Sequence, residues 1–108
     1  MKHEVSNRGD RVVVALKGEV DLESSPEARE LLLTSVAADR NVLVDLSAVT
    51  YIDSSGVASL VEALQASRKK GTQFALAAAS EPARRVLELA RLDRVFTMHD
   101  TVEDALNA

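Results

Sequence analysis

The sequence contains no cysteine and no tryptophan, and its 108 residues include only one tyrosine and two phenylalanines. Without cysteine the chain has no disulfide bond, no thiolate metal ligand and no cysteine nucleophile. The scarcity of aromatic rings argues against a stacking surface for single-stranded nucleic acid. The core must therefore be built from Val, Leu, Ile and Ala.

Positive charge and long apolar runs are also scarce. The chain has 13 Lys and Arg against 17 Asp and Glu, a net charge of −4, so no basic excess is available to neutralise phosphates and we expect no nucleic-acid partner. No apolar run approaches the ~20 residues that span a bilayer, and residues 1–5 lack the apolar core of a signal peptide. We therefore expect a cytoplasmic protein without direct membrane insertion, while docking on the cytosolic face of a membrane complex stays open.

The sequence motifs of common enzymes are missing as well. It has no glycine-rich phosphate loop, no HExxH zinc motif and no GxSxG nucleophile motif. His3 and His99 lie near opposite ends of the chain without a neighbouring nucleophile or second ligand, and we interpret both as surface residues. These absences predict a protein that is not an enzyme, with no catalytic residues and no bound metal or cofactor.

The pattern of apolar residues predicts an α/β fold. No Gly/Ser-rich or Pro-rich linker divides the chain, so we expect a single domain over residues 1–108. Val-rich runs alternate with segments of helical periodicity in the order β-β-α-β-α-β-α-β-α, with strands at residues 3–7, 11–17, 41–46, 73–79 and 95–97. Strands separated by helices pair in parallel, whereas the opening hairpin is antiparallel. The expected architecture is a mixed, mostly parallel sheet of four to five strands packed with about four helices.

Capping residues mark the ends of the predicted helices. Ser24-Ser25 predicts a hydroxyl cap for the first helix, and Ser80-Glu81-Pro82 predicts the start of the third. We expect Asp100 or Thr101 to cap the last helix, and Thr101 has capping-box spacing to Asp104. The second helix follows Gly56 and ends in a basic turn at Lys70, where Gly71 supplies the left-handed residue that stops it.

The run Asp53-Ser54-Ser55-Gly56 joins an apolar segment to this second helix. Capping explains part of it, because Asp53 or Ser54 can accept a hydrogen bond from a first-turn N–H. Two hydroxyls exceed what one cap requires, and Gly56 costs ~1 kcal/mol of helix propensity relative to Ala, which suits close approach by another backbone or a bulky partner. A hydroxyl at a helix N-terminus is also well placed to carry a phosphate, since the N–H groups and helix dipole stabilise the added charge.

Together with its surroundings, this run resembles the STAS domain family of bacterial anti-sigma factor antagonists. The resemblance rests on Gly-Glu-Val-Asp at residues 18–21, the capped helix that follows, the strand at residues 42–46 and Ile-Asp-Ser-Ser-Gly at residues 52–56. It extends over nearly the whole chain, including the element order and residues 83–93. It implies a single STAS-like α/β domain.

The resemblance also implies a phosphorylation switch at Ser55. In such antagonists the second serine of the motif is phosphorylated by a partner anti-sigma factor that is also a serine kinase. The unphosphorylated antagonist binds this partner and frees the sigma factor; phosphorylation abolishes the binding and a phosphatase restores it. The implied contact surface around Ser55 consists of Asp21, Asp53, Ser54, Gly56 and Val57. Within the motif we expect Ser54 to lie closer to the helix cap.

A second function is compatible with the same features. Stand-alone STAS proteins also resemble the small cytoplasmic accessory subunit of phospholipid-transport ABC transporter complexes, in which the same loop and helix dock on the transporter. The acidic, cysteine-free chain fits this equally well. At the level of sequence, the partner is thus either an anti-sigma factor with serine kinase activity or a set of membrane ABC transporter subunits, and the oligomeric state is open.

Overall fold

A computed structural model describes every residue from Met1 to Ala108. Five strands form one sheet in the order β1-β2-β3-β4-β5, in which β1 is antiparallel to β2 and all other neighbours are parallel. The strands are β1 Lys2–Arg8, β2 Arg11–Val20, β3 Asn41–Ile52, β4 Phe74–Ala77 and β5 Thr97–His99. The helices are α1 Ser25–Ala37, α2 Ser54–Lys70, α3 Glu81–Leu89 and α4 Val102–Leu106, with a short 3-10 helix at Leu92–Arg94. The predicted mixed α/β architecture is confirmed.

The core lies mainly on one face of the sheet. Because side chains alternate along a strand, Val12, Val14 and Leu16 of β2 point to the same face, and they are buried with residues of α1, α2 and α3. Val13 and Leu43 point the other way and are covered by Ala105 of α4. None of the helices is both long and apolar enough to span a bilayer.

The two central strands are longer than the sequence predicts. We expected β2 to end at residue 17 and β3 at residue 46, but their parallel pairing continues to Val20 and Ile52. Register shifts after Ala15 and Gly18 interrupt the simple alternation, and Gly18 has a φ of +86°. Gly18 therefore lies within a strand at a bulge instead of ending it, which is a recognised use of glycine in sheets.

The last two strands are displaced from their predicted positions. β4 is shorter than residues 73–79 because Ala78, with a φ of +54°, turns the chain away. The last strand begins at Thr97 instead of residue 95, because Val95 and Phe96 close the 3-10 helix with N–H bonds to the Leu92 carbonyl.

The start of α3 at Ser80 and the end of α2 at Gly71 are confirmed, and of the two candidates for the last cap it is Thr101, not Asp100, that caps α4. Ser80 and Thr101 accept hydrogen bonds from the N–H groups of Ala83 and Asp104, and Gly71 ends α2 with a φ of +75°. The hydroxyl cap predicted at Ser24-Ser25 is wrong, because the Ser25 hydroxyl donates to the Leu22 carbonyl and Ser24 binds no N–H of α1 through its side chain. Ser24 is the N-cap residue of α1 by position only. Its hydroxyl accepts from the Asp21 N–H and donates to the Glu19 carbonyl, so it closes the loop between β2 and α1 instead.

Gly56, in the first turn of α2, packs directly against β2. A Cβ on this residue would lie 2.5 Å from the carbonyl oxygen of Val20 and 2.8 Å from the Ile52 side chain. No side chain fits at such distances unless the strand or the helix moves. The close approach indicated by the sequence is therefore made by the chain's own backbone, and it fixes the start of α2 against the ends of β2 and β3.

This packing determines the sign of the effect of Gly56→Ala on stability. Helix propensity alone would stabilise the protein by ~1 kcal/mol, whereas overpacking costs about 1–3 kcal/mol. We expect a net loss in the free energy of unfolding, measured by urea denaturation. Ser54→Ala, at an exposed position in the same turn, is the control and should change stability by less than about 0.5 kcal/mol. A Gly56→Ala protein as stable as the wild type would contradict the packing account.

Candidate functional site

The candidate site lies where β2 and β3 end. Val20 and Ile52 are paired in the sheet, so the residues that follow them, Asp21 and Asp53, enter neighbouring loops at the same edge. The Asp53 N–H also donates to the Val20 carbonyl at 3.3 Å. The carboxyl ends of adjacent parallel strands thus bring together two acidic residues that are 32 positions apart in the sequence.

Asp53 is the N-cap of α2. Its Oδ1 accepts hydrogen bonds from the N–H groups of Ser55 at 3.0 Å and Gly56 at 3.2 Å, and from the Ser55 hydroxyl at 2.6 Å. The hydrogen bond from the Ser55 hydroxyl is the main reason that the pKa of Asp53 lies below its usual range. The hydrogen bonds from the N–H groups of Gly56, Leu22 and Ser55 lower this pKa further. Asp53 therefore carries a full negative charge at neutral pH.

The same carboxylate also holds the loop between β2 and α1. Its Oδ2 accepts the Leu22 N–H at 3.1 Å. Asp21 stabilises this loop, because its Oδ1 accepts from the N–H groups of Glu23 and Ser24 and shares the single Ser24 hydroxyl proton with the Glu19 carbonyl. Hydrogen bonds from Ser24 lower the pKa of Asp21, against a smaller opposing effect of the Asp53 charge. Asp53 thus joins the start of α2 to the neighbouring loop.

The two serines of the motif differ in their surroundings. Ser54 is the first residue of α2, next to the cap, and it is exposed with no hydrogen bond from its hydroxyl, so Ser54 is not the capping residue. Asp53, the other residue that the sequence offered as the cap of α2, is the one that caps the helix. Ser55 is half-buried, and its hydroxyl is bound to Asp53. Ser55 also faces a groove of about 620 Å³ between α1 and α2, which Arg29 and Glu62 line farther along.

Gly56 and Val57 lie beneath the surface. Gly56 is buried against β2, and Val57 is 8% exposed within the main core. Their role in partner contact stays a prediction. In this structure they pack the first turn of α2, which carries Ser55, against the core. Of the implied contact residues, Asp21, Asp53 and Ser54 have surface that a partner can reach.

Two apolar residues at this edge were not identified from the sequence. Leu22 is 76% exposed and Tyr51 is 51% exposed, and both line a shallow depression of about 470 Å³ with Asp21, Glu23 and Asp53. The sequence around Leu22 weakly indicates an exposed apolar contact residue, because a large apolar side chain stands there between two acidic residues, Asp21 and Glu23. Nothing in the sequence indicates the exposure of Tyr51, since residues 47–50 were interpreted as a link and not as part of β3.

The carboxylates at this edge have no basic partner. The six ion pairs of the protein lie elsewhere, and none involves Glu19, Asp21, Glu23 or Asp53. An ion pair between Arg29 and Glu62, with N–O distances of 2.6 and 2.8 Å, ties α1 to α2 beside the groove. The surface around Ser55 is therefore acidic, with uncompensated charge on the side of the loop between β2 and α1.

Comparison with known proteins identifies the family and the fold. The STAS domain model matches residues 2–105. The anti-sigma-F factor antagonist RsfB of Mycobacterium tuberculosis is 30% identical over 94% of this chain and 84% of its own length. The structure of an anti-sigma factor antagonist from Mycobacterium paratuberculosis superposes with a TM-score of 0.91 at 29% identity, covering 98% of this chain and 91% of that one.

A more distant structure has the same fold. SpoIIAA of Bacillus, in its phosphorylated form, superposes with a TM-score of 0.76 at 20% identity and covers 98% of this chain and 97% of that one. The family match spans nearly all of the sequence, and the relatives named above are anti-sigma factor antagonists. The chain therefore belongs to the STAS domain family.

Proposed function

We propose that this protein is an anti-sigma factor antagonist that binds an anti-sigma factor with serine kinase activity and is switched off by phosphorylation of Ser55. The observation that carries the proposal is the Ser55 hydroxyl, which is bound to the N-cap carboxylate of Asp53 at 2.6 Å. The names of the relatives support the antagonist role. A regulator of sigma factors would act in the cytoplasm, where transcription takes place.

Phosphorylation would change the chemistry of the cap. Transfer of the γ-phosphoryl group of ATP forms a bond from phosphorus to Ser55 Oγ, breaks the bond from phosphorus to the ADP oxygen and releases the hydroxyl proton to a kinase base or water. Ser55 then has no hydroxyl proton to donate to Asp53. A group of about −1.5 to −2 charges replaces it beside that carboxylate.

The added charge would compete with Asp53 for the start of α2. Phosphate oxygens are good acceptors for first-turn N–H groups. In the unphosphorylated protein the N–H groups of Ser55 and Gly56 donate to Asp53, so the phosphate and the carboxylate would compete for the same two donors. Repulsion between phosphate and carboxylate favours displacement of Asp53, which would also release the Leu22 N–H. Phosphorylation would thus act on the partner surface both by charge and through the loop between β2 and α1.

The first test is phosphorylation of the purified protein by its kinase-type anti-sigma factor and ATP. We expect a single phosphate on Ser55, located by mass spectrometry, in the wild type and in Ser54→Ala, and none in Ser55→Ala. Ser55→Ala should still bind the partner. The phosphorylated protein should bind about 100-fold more weakly, because the phosphate displaces Asp53 and thereby releases the loop between β2 and α1 that forms part of the partner surface.

Either of two results would contradict the proposal. One is a phosphate found on Ser54 with Ser55 unmodified. The other is a Ser55-phosphorylated protein that binds the anti-sigma factor with the affinity of the wild type in isothermal titration calorimetry.

A second prediction concerns the dual role of Asp53. Asp53→Ala removes the cap of α2 and the acceptor for the Leu22 N–H, so the midpoint of urea denaturation should fall. Asp53→Asn should retain most of the stability, because Asn is also a good N-cap residue. Ser54→Ala, whose hydroxyl is unbonded, is the matched control. Equal midpoints for Asp53→Ala and Ser54→Ala would show that the Asp53 hydrogen bonds do not stabilise this edge.

A further inference from the structure

The protein has five large apolar side chains that are well exposed, and two of them line one depression beside Asp53. The five are Val5, Leu22, Tyr51, Leu89 and Val95. Leu22 and Tyr51 share the shallow depression at the ends of β2 and β3, whereas Val5 is in β1, Leu89 is in α3 and Val95 follows the 3-10 helix. Exposed apolar residues are ordinary singly, but a pair in one depression with a polar rim is typical of an interaction site.

Tyr51 extends this apolar surface toward α3. It also lines a second depression of about 350 Å³, together with Ile52, Pro82, Val86 and the ion pair of Arg85 with Glu81. The two depressions share Tyr51, so a partner that occupies either one can contact it.

Both residues are held in place before any partner arrives. Tyr51 is in β3, paired with Glu19 of β2. The Leu22 N–H is bound by Asp53, and the loop around it is closed by the hydrogen bonds of Asp21 and Ser24. Anchors on ordered backbone lose little conformational entropy on binding.

The charges around the pair indicate what occupies the surface. Asp21, Glu23 and Asp53 line the depression and have no basic partner within the protein. A second copy of the chain would bring the same carboxylates, and the two surfaces would repel one another. Electrostatic complementarity instead favours a segment with Lys or Arg.

We infer that Leu22 and Tyr51 are the apolar anchors of the partner surface, and that their occupant is a segment of the anti-sigma factor in which an apolar side chain is flanked by basic residues. This inference rests on the proposed function and identifies the partner chemistry that the site accepts. It also gives the Asp53 bond to the Leu22 N–H a functional role, because that bond holds one anchor in place.

The test compares binding of four variants to the anti-sigma factor by isothermal titration calorimetry. Leu22→Ser and Tyr51→Thr should each weaken binding by about 10-fold or more, as truncated anchors do. Thr is chosen because it preserves strand propensity. Val5→Thr, at an exposed apolar position on β1 outside both depressions, is the matched control and should bind within about 2-fold of the wild type. Glu23→Gln should reduce the loss of affinity between low and high salt. Circular dichroism verifies that each variant folds.

The outcomes separate this inference from the function on which it rests. Wild-type affinity in both Leu22→Ser and Tyr51→Thr, with the anti-sigma factor bound normally, would overturn the inference and leave the proposed function intact. Absence of binding by the wild type would overturn both. A wild-type dimer in sedimentation equilibrium that Leu22→Ser converts to a monomer would assign the surface to a second copy and overturn the inference.

Discussion

The carboxylate of Asp53 is the group on which the candidate site depends. One of its oxygens accepts from the first turn of α2 and from the Ser55 hydroxyl, and the other accepts from the Leu22 N–H. A carboxylate is an acceptor only, so each of these bonds requires the other group to supply a proton. Replacing the Ser55 proton with a phosphate therefore disturbs the whole set of bonds, including the one that reaches the next loop.

This arrangement requires the start of α2 to lie very close to the ends of two strands. Gly56 permits the approach, because any larger residue would collide with the Val20 carbonyl. The parallel pairing of Val20 with Ile52 then brings Asp21 and Asp53 into neighbouring loops. Packing in the core thus sets the geometry of a surface site, and the acidic surface and its two exposed apolar residues are presented on ordered backbone.

The order of the strands and helices and the starts of most helices could be predicted from the sequence, because they depend on residues that are close together in the chain. Element order followed from apolar periodicity, and the starts of α3 after Ser80 and of α4 after Thr101 followed from polar residues before apolar stripes. The strand ends could not be predicted, because the bulge at Gly18 and the extension of β3 arise from pairing between distant segments. Tyr51 was missed for the same reason, and the choice of Asp53 over Ser54 as the cap depends on how the helix meets the strands.

The most direct test of the coupling through Asp53 is the hydrogen exchange of the Leu22 amide, measured by NMR before and after phosphorylation of Ser55. In the unphosphorylated protein this amide should be protected, although the Leu22 side chain is exposed. After phosphorylation it should exchange rapidly, while the Leu60 amide within α2 stays protected. Unchanged protection of Leu22 in a phosphorylated protein that no longer binds its partner would contradict the coupling.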